Sequence, residues 1–142
     1  MIRKYQEHNI EIVVSIWRRA SELAHPFLTK AFLDTEDGNM RNIYLKFAET
    51  WVIERQGSVV GFVALIENEI GGLFLDPSFH GQGLGRALVD KAVALKGSVK
   101  LEVFKENKIG RRFYDAYGFR QTEEFTHDKS GQATLRMTFT QT

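Results

Sequence analysis

Cysteine is missing from all 142 residues. Its absence excludes disulfides, thiolate metal sites and any covalent intermediate carried on a cysteine sulfur, and it fits a reducing compartment. Proline occurs only at Pro26 and Pro77, and each marks a place where a regular element stops. No run approaches the roughly 18 apolar residues of a membrane span. The opening "MIRKYQEHNIEIVV" has no apolar stretch of the signal-peptide kind. These absences predict a cytoplasmic protein with no membrane partner. Charge of one sign is also lacking. Nineteen Lys and Arg against 18 Asp and Glu leave +1, too little for the basic surface that a nucleic-acid partner demands. His8, His80 and His127 are scattered, so no metal cluster is expected.

What is present is enough for a core. Hydrophobic residues make up 43% of the chain, ordinary for a globular domain, and the length predicts one domain over 1–142. "MIRKY" reads as a short strand. From Asn9, a plausible N-cap, Ile10, Val13, Ile16, Trp17, Ala20, Leu23 and Ala24 keep the spacing of one buried helical face until Pro26. "FLTKAFLDTEDGNMRNIYLKFAET" reads as more helix, interrupted by a turn around Asp34 to Asn39. "WVIERQGSVVGFVALIEN" gives two strands about Gln56-Gly57, and "EIGGLFLDP" a third, ended by Pro77. Leu84, Ala87, Leu88, Ala92 and Leu95 make a second amphipathic helix. "SVKLEVF" alternates as a strand, "NKIGRRFYDAYGF" is a short helix capped near Gly118, and a hairpin about Lys129-Ser130-Gly131 closes the chain. Consecutive strands joined by tight turns predict an α+β fold, with helices packed on an antiparallel-rich mixed sheet.

The segment "DPSFHGQGLGRALVDKAV" carries the chemistry. Gly81, Gly83 and Gly85 stand directly before a helix. A helix N-terminus leaves N–H groups unpaired, and its dipole adds partial positive charge. Bare glycines let a phosphate approach those amides. The plainer reading is a tight strand-to-helix connection. A nucleotide P-loop is excluded because Arg86 and Ala87 follow Gly85 where that motif needs Lys and Ser or Thr. A dinucleotide site fits Gly81 and Gly83 and would use Glu102 for the ribose, but it needs glycine where Arg86 stands. Arg86 itself, a cation in a first helical turn, is either offset by a bound anion or merely solvated.

"HGQGLGRAL", preceded by "LFLDP" and followed by "NKIGRRFYDAYGF", resembles the GNAT superfamily of acyl-CoA-dependent N-acyltransferases. Gly83 and Gly85 match the small positions of that family's signature, with His80 where Arg or Gln is usual. Asn107, Phe113, Tyr114, Gly118 and Phe119 match its second signature. The order of strands and helices agrees along essentially the whole chain. "AHPFL" looks like the same segment in a bacterial subgroup of small acetyltransferases. The resemblance implies a mixed, mostly antiparallel twisted sheet of about six to seven strands with about four helices. It implies acetyl-CoA as co-substrate, with no metal. The amides of Gly81, Gln82, Gly83, Leu84, Gly85 and Arg86, beside His80, would cradle the pyrophosphate. The strand at Leu73, Phe74 and Leu75 would pair with the pantetheine arm, and Asn107 and Phe113 would touch its far side.

Transfer to an amine needs a neutral nucleophile in line with the carbonyl, a donor for the developing oxyanion and help for the leaving thiolate. The resemblance implies the Leu75 amide as oxyanion donor and Tyr114 as proton donor to sulfur. The base stays open. Glu69, Glu102 and His25 are candidates, and each has a plainer reading as a turn, strand-face or helix-end residue. The missing cysteine favours direct attack in a ternary complex. Phe27, Phe32, Tyr44 and Phe47, with Asp34, Glu36 and Asp37, mark the region expected to select the acceptor, a small-molecule or protein amine. A non-catalytic CoA-binding module is the competing reading, and monomer and homodimer both stay open.

Overall fold

The protein is described by a computed structural model covering residues 1–141. Seven strands form one sheet: β1 (Ile2–Lys4), β2 (Glu49–Arg55), β3 (Ser58–Ile66), β4 (Glu69–Leu75), β5 (Ser98–Phe104), β6 (Arg120–Thr126) and β7 (Ala133–Thr140). Their spatial order is β1-β2-β3-β4-β5-β7-β6, antiparallel throughout except for β4 beside β5. The helices are α1 (Ile10–Ala24), α2 (Lys30–Asn39), the single turn α3 (Leu45–Phe47), α4 (Leu84–Lys96) and α5 (Lys108–Tyr117). This is the α+β, mostly antiparallel architecture that the sequence predicts.

The apolar run of β3 is buried on both faces, which requires cover on both sides of the sheet. On one side Val63, Leu65, Ile70 and Leu101 pack with Leu84, Leu88 and Val89 of α4 and Tyr114 of α5. On the other, Val52 and Phe62 pack with Val13, Ile16 and Trp17 of α1 and Leu33 of α2. Each fully buried leucine or valine contributes about 1.5–3 kcal/mol, so these two layers fix the strands between them.

The feature that positions the site is a gap. β4 and β5 pair only at Glu69 with Lys100 and at Ile70 with Leu101. Beyond that point β4 stays with β3 as far as Leu75, and β5 stays with β7 as far as Phe104. The two strands therefore splay. The Asp76 N–H donates to the Val60 carbonyl at 2.8 Å. Alternation along an antiparallel strand then turns the Leu75 N–H away from β3, toward the splay.

Two local expectations need correction. The turn placed at Asp34 to Asn39 is helix: α2 runs through it, and Gly38 lies inside. Side-chain pairs support it, Lys30 to Asp34 at 2.9 Å and Arg41 to Asp37 at 2.7 Å, both with the i, i+4 spacing that stabilises a helix. The irregularity comes one step later, as a π turn at Met40–Tyr44. Asn9 precedes α1, but its side chain does not cap that helix; Oδ1 accepts from the Gln6 N–H at 3.0 Å and from Arg3 at 3.1 Å.

Candidate active site

The glycine loop joins β4 to α4 through a 3-10 turn at Pro77–Phe79. Gly81 and Gly83 have φ near +78° and +79°, and nothing lies within 4 Å of where a Cβ would stand on either. Gly83 is the N-cap of α4, so the first free amides of the helix open directly onto the loop. Gly85 serves a different purpose. A Cβ there would sit 3.4 Å from the Phe113 ring and 3.5 Å from Leu75, so this glycine lets α4, α5 and β4 approach closely.

A cavity of about 310 Å³ lies along this loop. Leu73, Phe74, Leu75, His80, Gly81, Gly83, Leu84, Gly85, Arg86, Asn107, Phe113 and Tyr114 all line it. Gln82, named with them from the sequence, does not. Ala20 and Ala24 of α1 and Ile109 and Gly110 of α5 complete the wall; their small or apolar side chains gave no sequence signal. Arg86 is exposed and lies over the Tyr117 ring, 5.1 Å from its centroid, at cation–π distance.

A second cavity, of about 230 Å³, fills the splay. Glu69, Glu102, His25, Asn107 and Tyr114 meet there, although they come from β4, β5, the end of α1 and α5. Phe104, His127 and Thr134 join them, and none of these was singled out for the site from sequence. A third cavity, of about 480 Å³, continues outward between α1, α2 and the β6–β7 turn. It shares His25, Phe74, Glu102, Phe104 and His127 with the second. Of the residues expected to select the acceptor, Phe32, Glu36 and Tyr44 line this outer space; Phe27, Asp34, Asp37 and Phe47 do not, and Phe47 is 81% exposed.

Tyr114 lines both the loop cavity and the splay cavity. Burial pushes its phenol above the ordinary value of 10, so it stays protonated. Asn107 caps α5, its Oδ1 accepting from the Gly110 N–H at 2.9 Å. That leaves Nδ2 to donate to His25 Nε2 at 3.1 Å, which fixes Nε2 as the acceptor nitrogen of a neutral ring. Burial lowers the His25 pKa to about 4. Glu102 is engaged by Arg136 at 2.8 Å, whereas no cation of the described residues pairs with Glu69.

The family model for the acetyltransferase (GNAT) domain matches residues 46–121, more than half of the chain. The chain belongs to the GNAT acetyltransferase family. The peptidyl-lysine N-acetyltransferase YjaB of Salmonella typhimurium is 32% identical over 132 residues, covering 92% of this chain and 90% of its own. The solution structure of apo-form YjaB from Escherichia coli matches with TM-score 0.89 and 27% identity, over 100% of this chain and 98% of that one. A PaiA N-acetyltransferase from Thermoplasma acidophilum, solved with coenzyme A, shares the fold at TM-score 0.77 and 16% identity, over 98% of each chain. This GNAT chain is therefore an acyltransferase. Its β4–α4–β5 crossover is parallel, as a dinucleotide site would also require, but Glu102 is turned to Arg136. Among the described residues no helix is long and apolar enough to cross a membrane.

Proposed function

We propose that the protein transfers the acetyl group of acetyl-CoA to a lysine side-chain amine of a peptide or protein, by direct attack within a ternary complex. The observation that carries this reading is the position of Tyr114, shared by the loop cavity and the splay cavity. A module that only held CoA would need no hydroxyl at that junction. The peptidyl-lysine activity of the relative in Salmonella supports the choice of acceptor.

The residues fit the co-substrate. Open space over Gly81 and Gly83 lets a pyrophosphate reach their amides and those of Leu84 to Arg86. The free edge of β4 at Leu73 to Leu75 suits the pantetheine arm, with Asn107 and Phe113 opposite. When bound, acetyl-CoA supplies a thioester carbonyl activated toward amines. The Leu75 N–H, facing the splay, donates to the carbonyl oxygen as negative charge grows there. Tyr114 holds its proton for the departing sulfur. Because burial makes this phenol a weaker acid than usual, its first contribution is a hydrogen bond to sulfur, with proton transfer after it.

Glu69 takes the proton from the incoming ammonium, directly or through water, since it lines the splay and has no competing ion pair among the described residues. His25 suits that task less well. A group with a pKa of about 4 is a weak base at neutral pH, and its lone pair is engaged by Asn107. It positions Asn107 instead.

Tyr114→Phe tests the reading. Turnover with a lysine peptide should fall about 100-fold or more, while the thermal stabilisation given by CoA stays as in the wild type. Unchanged turnover would refute the assignment of Tyr114. A wild type stabilised by CoA yet inactive toward a broad panel of amines would leave the binding module as the better account.

A further inference from the structure

One corner of the outer cavity has no part in the chemistry above. Glu36 projects from α2, and its side chain is only 15% exposed. Tyr44 Oη donates to Glu36 Oε2 at 3.0 Å, and Asn39 Nδ2 donates to Oε1 at 3.4 Å. Among the described residues, the one cation paired with this carboxylate is Lys129 Nζ, 3.8 Å from Oε1. Lys129 sits on the β6–β7 turn and is 60% exposed. Its ammonium lies 3.2 Å from Tyr44 Oη and 5.9 Å from the centroid of the ring. All three residues line the outer cavity.

This balance is uneven. A carboxylate largely removed from water needs a well-placed cation. A solvated lysine at 3.8 Å offsets little of that cost. The corner nevertheless shows what it accepts: a carboxylate and a phenol oxygen together hold an ammonium group. Tyr44 closes the π turn at Met40–Tyr44. Such turns have poorer helical bonding and recur where a side chain has been re-aimed for function.

We infer that Glu36 and Tyr44 form a subsite for a second positive charge on the acceptor, and that Lys129 occupies it as a displaceable stand-in. The inference rests on the lysine-acceptor reading and deepens it. The reacting amine gives up its proton to Glu69 in the splay, whereas Glu36 lines the outer cavity and not the splay. The charge that Glu36 recognises is therefore a different one on the same molecule. A lysine flanked in its peptide by arginine or a further lysine supplies it. Lys129 is displaceable because its ion pair with Glu36 is long and its largely exposed ammonium returns to water.

The test uses lysine peptides that carry arginine at one flanking position and, in their partners, neutral citrulline at the same position. The pair is moved through the residues on either side of the lysine. Turnover and calorimetric binding in the presence of CoA are measured for the wild type, Glu36→Gln, Lys129→Ala and the double variant. At one or more flanking positions the wild type should prefer arginine about tenfold. Glu36→Gln should bring that ratio to about one. Lys129→Ala should raise it about two- to fivefold, and the double variant should behave as Glu36→Gln. If Glu36→Gln does not fold, Tyr44→Phe keeps the ring, removes one hydrogen bond and should lower the ratio in the same direction. Equal ratios for wild type and Glu36→Gln at every position would overturn the subsite, as would a lowered ratio in Lys129→Ala. Acetylation without charge preference leaves the lysine-acceptor reading standing and removes the subsite. Charge-dependent binding without acetylation does the reverse. A wild type that neither binds nor acetylates any of the peptides overturns both.

Discussion

Acid should weaken this protein through one residue in particular. His25 is 8% exposed, with its ring edge-on to Phe27 at 5.7 Å and to Phe104 at 5.1 Å. Its Nε2 must keep a lone pair, because Asn107 Nδ2 points a hydrogen at it. A proton there would set two donors against each other in a poorly solvated place. The folded state therefore holds the ring neutral down to about pH 4, while the unfolded chain takes up a proton near 6.5. Between those values the unfolded state binds more protons, so stability falls as the pH falls. The contribution is fully present above about 6.5 and is lost toward 4. At about 1.4 kcal/mol per pH unit, the loss is about 2 kcal/mol at pH 5 and about 3 kcal/mol at pH 4. Urea denaturation of the wild type and His25→Gln in half-unit steps from pH 7.5 to 4.5 measures it. Glutamine can accept from Asn107 without titrating. It also loses the two ring contacts, so the variant should start lower at pH 7 and then fall less steeply. Carboxylates weaken both proteins in acid, which makes the difference between the curves the informative quantity. Parallel curves would refute the argument, and so would a wild type that gains on the variant as the pH falls.

Two further outcomes follow from the same geometry. Gly83→Ala puts a Cβ on a left-handed residue in open space. It should cost about 1–2 kcal/mol of stability and, by crowding the amides at the mouth of α4, weaken CoA binding more than it alters folding, read by calorimetry and thermal unfolding side by side. Asn107→Ala removes both the α5 cap and the donor to His25. It should cost about 1–2 kcal/mol and move the His25 titration upward from about 4, followed by NMR of the ring protons.

The half of the candidate site along the glycine loop was legible in the sequence because it is made mostly of backbone. Gly81, Gly83 and the helix they open are neighbours in the chain, and twelve of the thirteen residues expected around the cofactor line one cavity. Asn107 and Tyr114 were legible too, since both belong to one short helix and its cap. The half proposed for the acceptor is built differently. His25 meets Asn107 across 82 positions, and Lys129 meets Tyr44 across 85. Neither pair has a local pattern, because sheet order alone brings the end of α1, the end of β5 and the β6–β7 turn together. His127 shows the limit clearly. Scattered in the sequence, it stands in the structure 5.4 Å from Phe104, which in turn faces His25.

The irregular helix shows how a local rule misleads. Gly38 and the acids around it resemble a turn, but Arg18 and Lys30 hold Asp34 while Arg41 holds Asp37. Neutralised in this way, the segment stays helical, and the irregularity moves to Met40–Tyr44. Glu36 is the acid of this stretch left without a close cation; its sole ammonium partner among the described residues is the distant Lys129. The residues that make α2 a helix thus also leave one carboxylate facing the outer cavity. On this reading, the acceptor's charge is recognised by the one acid that the helix does not need for its own stability.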